Sequence, residues 1–292
     1  MGYGPREGRR VAGEGQSALK ASPMETTTKK TGLAGAQRYV ISNRVDRIFI
    51  ELYKVFSFMA RFFREVFVPP YELREVVRQC YEIGVRSLPL ISLTGFIMGI
   101  VFTNQSRPSL EELGATGLLP ALIAVAIVRA LAPLVTALIA TGRVGSNIGA
   151  ELGSMKVTEQ IDALEVSAIN PFKYLVVTRV LATTFMVPAL AMYTGAVGLL
   201  GGYVNIHANE LTSFASYTKQ VFDAISFLDI FSAVAKATIF GFTIGMVGCY
   251  KGYNSSKGTE GVGRAANTSV VTSMFLIFIE ELLALQVINA LR

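Results

Sequence analysis

Five apolar stretches, at roughly 83–104, 116–142, 172–203, 229–250 and 267–291, constrain this chain more than any other feature. Each is long enough for the roughly 20 residues that a helix needs to cross the hydrocarbon core of a bilayer. Lipid offers no partner to backbone amides and carbonyls, so such runs must close their hydrogen bonds internally, as helices do. The expected fold class is therefore an all-α integral membrane protein with five transmembrane helices. Composition agrees: 51% of the 292 residues are hydrophobic and only 16% are charged, with mean hydropathy +0.46. Soluble domains carry about 25% charged residues.

Outside the spans the sequence is polar and uneven in charge. The first 81 residues hold 14 Lys/Arg against 8 Asp/Glu, and the remainder holds 13 of each. Residues 1–37 bury too little apolar surface to offset the entropy of ordering and are expected to form a flexible cytosolic tail. They contain no apolar signal-peptide core, Glu7, Glu14 and Glu25 argue against a transit peptide, and Met24 offers a second start. Over 38–68, Val45, Ile48, Leu52, Val55, Phe56, Met59, Phe62 and Val66 recur at helical spacing between Arg44, Arg47, Glu51, Lys54, Arg61 and Arg64. That pattern predicts an amphipathic helix in the membrane interface, its cations near anionic headgroups. Pro69 and Pro70 end it, and a short amphipathic piece, YELREVVRQCY, leads into the first span.

Lys and Arg near the span ends fix an expected orientation. With the N-terminus inside, Arg74, Arg78, Arg86, Arg143, Lys156, Lys173, Arg179, Lys251, Lys257 and Arg264 fall on the cytoplasmic side, leaving Arg107, Lys219 and Arg292 outside. Five spans then put the C-terminus outside, with an external loop at 204–228. Gly95/Gly99, Gly198/Gly202 and Gly241/Gly245 have the G-x-x-x-G spacing that lets membrane helices approach closely.

Ionisable residues within spans are costly unless paired or hydrated. Arg129 lies in the second span, Lys236 in the fourth, and Glu280 and Glu281 in the fifth, all roughly 10–17 Å from the outer ends at about 1.5 Å per residue. Two readings stand: a polar lining or gate for a charged headgroup, or a static buried salt bridge. Glu280 and Glu281 point about 100° apart, so one at most faces a given partner.

Residues 143–171, RVGSNIGAELGSMKVTEQIDALEVSAINP, form a polar segment between the second and third spans. From about 146 to 167 the pattern predicts one amphipathic helix, with Ile148, Leu152, Met155, Ile161, Leu164 and Val166 on its apolar side. Glu151, Lys156, Glu159, Gln160, Asp162 and Glu165 supply the polar side. The segment reads either as a connector on the membrane surface or as a coupling helix that fits a cytosolic motor subunit.

Several chemistries find no support. No G-x-x-x-x-G-K-[ST] occurs, so any ATP is bound by another subunit; GVGRAA at 261–266 matches a loose dinucleotide pattern but sits in an expected loop between membrane helices, without the strand that fold needs. His207 has no triad or zinc partner, and Cys80 and Cys249 read as packing residues. No cofactor or metal is expected, and no catalysis by this chain.

The block AELGSMKVTEQIDALE at 150–165, followed by Asn170-Pro171 and Arg179, resembles the MlaE-type permeases of ABC transporters associated with mammalian-cell-entry (MCE) proteins. The resemblance covers roughly 38–291 and includes PLVTALIATGRVGS at 133–146 and CYKGYN at 249–254. It implies a permease domain at 38–291, with an interfacial helix, five spans and a cytoplasmic coupling helix in which Glu151, Lys156, Glu159, Gln160 and Asp162 face the motor. It further implies a homodimer in the bacterial inner (cytoplasmic) membrane, bound to two cytosolic ABC ATPase subunits inside and an MCE-domain hexamer outside, moving phospholipid or another hydrophobic molecule. Arg129, Lys236 and Glu281 stand where the family has charged residues at a lipid cavity or gate. Many members read Arg-Glu-Leu-Gly-Pro where residues 129–133 are Arg-Ala-Leu-Ala-Pro, so Ala130 replaces an acid. The alternative from the residues alone is a proton- or ion-coupled secondary transporter working through Glu280 or Glu281; no inverted repeat supports it.

Overall fold

The computed structural model describes residues 43–210 and 212–291, and its compact unit runs from Arg47 onward. The expected tail at 1–37 and the first residues of the expected interfacial helix lie outside the described residues. Every regular element described is helical. Among the described residues, five helical segments are long and apolar enough to cross a membrane: Leu73–Glu112, Thr116–Val157, Phe172–Glu210, Phe227–Tyr253 and Thr259–Ala290. Each contains one of the apolar runs, and each reaches beyond it, because polar flanking sequence continues the helix instead of turning away.

The chain opens with α1 (Asn43–Val66). Then α2 (Leu73–Gly84) passes through a 3-10 turn (Val85–Ser87) into α3 (Leu88–Glu112), so the short amphipathic piece and the first span form one rod. The second rod joins α4 (Leu119–Ala126), a π turn (Ile127–Leu131), α5 (Ala132–Ala140), a second π turn (Thr141–Gly145) and α6 (Ser146–Val157). After α7 (Gln160–Val166), a third π turn (Phe172–Val177) starts α8 (Thr178–Glu210). Next come α9 (Phe214–Ala224) and α10 (Phe227–Tyr253), whose first turn is closed by a capping box between Ser226 and Asp229. The last helix is α11 (Thr259–Leu291).

Two expectations are corrected. The segment 146–167 is not one helix: α6 is the tail of the second span, and the chain breaks at Thr158–Glu159. Thr158 still closes its amide and its hydroxyl on the Ser154 carbonyl, each at 3.0 Å, as residues within a helix do, so the break falls just after it. Glu159 then takes a left-handed conformation at φ 57°. The break turns the second half, so Val166, expected on the apolar side, is 90% exposed, while Ile148, Leu152 and Ile161 are buried. GVGRAA is not in a loop either; it lies within the opening turns of α11.

The third span is the most buried of the five and the fifth among the least. Accordingly α8 packs against α2, α3, α5 and α10. Glycine makes these crossings close: a Cβ on Gly99 would collide with the Gly198 carbonyl of α8, and one on Gly241 with the Thr183 carbonyl. One apolar cluster joins Phe62 of α1, Ile83 of α2, Leu152, Phe172 and Phe240. The other joins Leu119, Ile123 and Ile127 to Ile206 and to Tyr217 and Val221 of α9. Tyr217 donates its hydroxyl to the Leu199 carbonyl at 2.9 Å, and burial pushes its ionisation up to about 12.

Within α1 the two faces differ. Phe58 meets Phe172 and Tyr250 edge-on at 4.9 and 5.3 Å, Arg61 covers Phe172 at 4.3 Å and Phe62 is buried. Phe49, Leu52, Tyr53 and Phe56 are exposed on the opposite side.

Candidate functional site

Two groups of polar side chains stand out, one within the spans and one at the α6–α7 end. The first begins with a backbone defect. In an α-helix the carbonyl of Arg129 would accept from the amide of residue 133, but that residue is proline and has no N–H. The π turn Ile127–Leu131 forms just before this position, and the Arg129 carbonyl instead accepts a hydrogen bond from Lys236 Nζ at 2.9 Å. Lys236 comes from α10, is buried, and also donates to Glu281 Oε1 of α11 at 2.8 Å. One ammonium thus ties three spans together.

The Arg129 guanidinium points elsewhere, donating to Asn289 Oδ1 at 3.3 Å. Glu280 does not join Lys236; its Oε1 accepts from the Thr243 hydroxyl of α10. Oε2 of Glu280 and of Glu281 are both buried and find no hydrogen-bond partner among the described residues. The structure therefore brings Lys236, Glu281 and the Arg129 backbone together, and leaves the Arg129 side chain and Glu280 to one side. Ala130 is exposed on the same π turn. Beside it lies an apolar cleft of about 160 Å³ between the second, third and fourth spans, lined by Val128, Pro133, Pro188, Met192, Leu199 and Val234 among others.

At the other end, the residues expected on one contact surface divide into two sets. Glu151 accepts a hydrogen bond from Arg179 Nη2 of α8 at 2.8 Å, and Lys156 sits over the Tyr253 ring at 5.7 Å. Both therefore hold the bundle together. Glu159, Gln160 and Asp162 are exposed, as is Glu165. They surround α7, which is anchored by the buried Ile161 and flanked by left-handed residues at Glu159 and Ala168. Each such non-glycine residue costs about 1–2 kcal/mol, and such strain clusters at functional positions.

Sequence reasoning missed three participants. Arg179, expected only as a cytoplasmic-side cation and as part of a motif, is 3% exposed; its charge near the start of an apolar run was the available signal for a buried partner. Asn289 and Thr243 gave none, since polar side chains that small are common in membrane helices. The role of the Arg129 carbonyl was announced by Pro133, four residues on.

Comparison with known proteins agrees with this architecture. The family model described as "Permease MlaE" matches residues 76–287. A probable ABC transporter permease protein of Rickettsia typhi is 38% identical over 235 residues, covering 80% of this chain and 90% of that relative. One from Synechocystis sp. is 35% identical over 208 residues, covering 71% and 79%, and one from Pyropia yezoensis is 34% identical over 207 residues, covering 70% and 78%.

Proposed function

The chain belongs to the MlaE permease family and is an ABC transporter permease; on that premise we propose that it is the membrane subunit of an ATP-driven transporter of phospholipid or a similar hydrophobic molecule. As an ABC permease it works with ATPase subunits that bind the nucleotide, and it performs no covalent chemistry itself. In this reading α7 is the contact for the motor, α1 lies in the membrane interface, and the α6–α7 end faces the cytosol. Two copies form the translocation unit in the bacterial inner membrane, with an MCE-domain protein on the far side.

The observation that carries the reading is the continuity of the second span. Glu151, about two turns before the strained break that precedes α7, and Arg129, beside the Lys236–Glu281 pair, belong to one rod. They are 22 residues apart in sequence, roughly 33 Å at about 1.5 Å per residue. Movement of α7 by a motor reaches the intramembrane cluster through a single element that the Arg179–Glu151 pair also ties to the third span. The polar cluster then receives or gates a headgroup, and apolar surface such as the cleft at Val128 and Pro133 accepts acyl chain.

The test is co-purification with an ATPase and an MCE-domain protein, followed by reconstitution. Glu159→Lys combined with Asp162→Lys is expected to abolish nucleotide-driven lipid movement at least tenfold while the chain stays folded and membrane-inserted. Normal assembly and hydrolysis in that variant would overturn the role of α7. A carrier working through Glu280 would instead move substrate under a proton gradient without nucleotide, and the same vesicles separate the two. Mass spectrometry of lipid retained by the purified complex identifies the substrate.

A further inference from the structure

A cleft of about 640 Å³ opens at the α6–α7 end, walled by α2, the 3-10 turn after it, the second π turn and α6. Its charged lining comprises Arg78, Glu82, Arg86, Arg143 and Glu151. Both carboxylates are already engaged: Glu82 pairs with Arg86 at 2.6 Å, and Glu151 with the buried Arg179 at 2.8 Å. Arg143 pairs with no carboxylate among the described residues. It donates to Ser87 Oγ at 2.6 Å, and that hydroxyl donates to the Ile83 carbonyl. A guanidinium carries five N–H donors in a planar fork suited to phosphate, so this bond occupies only part of it. Arg78 is held only loosely, 3.4 Å from Glu75.

The backbone sets Arg143 in place. It lies in the π turn Thr141–Gly145, whose extra residue changes the direction of the side chains, and Ser269 of α11 pins that turn by donating to the Gly145 carbonyl at 3.0 Å. The depth also matters, because Arg86 and Arg143 stand where the first apolar run begins and the second ends. Around α2, the row Arg78, Glu82, Arg86 faces the cleft. One residue back is the row Val77, Tyr81, Val85, exposed by 68%, 59% and 45%. Cationic and apolar surfaces thus run side by side along one rod.

We infer that this cleft holds the phosphate of an anionic phospholipid, with the acyl chains along Val77, Tyr81 and Val85. The lipid is a bound component at the end opposite the Lys236–Glu281 cluster, not the cargo. Its assignment to the cytoplasmic leaflet rests on the orientation proposed above; the site itself does not.

The sequence contains no tryptophan, so Val85→Trp introduces a single fluorescent reporter. The full chain carrying it is reconstituted into phosphatidylcholine vesicles with a minor fraction of brominated phosphatidylglycerol or brominated phosphatidylcholine. Brominated phosphatidylglycerol is expected to quench at about fivefold lower concentration or less. Arg143→Gln and, separately, the largely exposed Arg86→Gln are each expected to reduce that preference about fivefold, the effect of one arginine near a lipid phosphate. Millimolar inorganic phosphate leaves the quenching in place. Equal quenching by both lipids, a preference surviving both variants, no quenching by either because protein fills the cleft, or full displacement by inorganic phosphate overturns the assignment. No nucleotide enters the experiment, so its failure leaves the transport reading untouched.

Discussion

Lys236–Glu281 and Arg179–Glu151 are both ion pairs of 2.8 Å that join two helices, yet their surroundings differ. In the first, the side chains are 6% and 18% exposed; in the second they are 3% and 55%. The intramembrane pair is closed on both sides, so each charge depends on the other. In the second pair the cation is sealed while the carboxylate is open to whatever approaches α6. Equal geometry therefore serves two purposes: a fixed joint inside the bundle, and a joint at its end that a partner can reach.

Breaking the closed pair has the largest expected effect. Lys236→Ala leaves the half-buried Glu281 without its cation and the Arg129 carbonyl without its donor, and should cost about 3–5 kcal/mol in detergent unfolding measurements. The double variant Lys236→Met with Glu281→Leu should recover most of that stability while transport stays lost. If the double variant is as unstable as the single, the two charges are not a matched pair.

Glu151→Ala is the corresponding break at the open end. Despite the exposure of Glu151 it should cost about 1.5–3 kcal/mol, because a buried guanidinium loses a charge-assisted hydrogen bond. A loss below about 0.5 kcal/mol, as for an ordinary surface pair, would erase the distinction drawn above.

Ionic strength sharpens the contrast more gently. At 1 M salt, where screening acts over about 3 Å, double-mutant cycles should give a Glu151–Arg179 coupling reduced by about half, with Lys236–Glu281 unchanged within about 0.5 kcal/mol. Smallest of all is Glu159→Gly, which relieves a left-handed glutamate and should change stability by less than about 1 kcal/mol. Its readout is coupling: nucleotide-driven transport should fall although the fold is no weaker.

Much of the bundle was legible because hydropathy over 20 residues is a strong signal and lipid enforces helices. Span ends were not, since LREVVRQCYEIG and SNIGAELGSMKV are polar enough to look like separate segments yet continue their helices. The Lys236–Glu281 encounter was partly legible from two charges at similar depth. The contribution of Arg129 was half legible: a charged residue in a span points to its guanidinium, whereas the carbonyl freed by Pro133 is what meets Lys236. The division of the 150–165 block into Glu151 and Lys156, which reach other parts of the bundle, and Glu159, Gln160 and Asp162 around α7 depends on a break after Thr158. No periodicity reveals that break, because every residue from 154 to 162 tolerates a helix.

The second span carries two π turns, at Ile127–Leu131 and Thr141–Gly145, one beside each polar site. A π turn holds extra backbone within an otherwise regular screw. Taking up one residue of that slack would turn everything beyond it by about 100° and advance it by about 1.5 Å. On the coupling proposed above, the span would serve as a torsion shaft as well as a strut: a twist applied near Gly145 would be absorbed locally or delivered to Arg129, according to which of the two turns yields first.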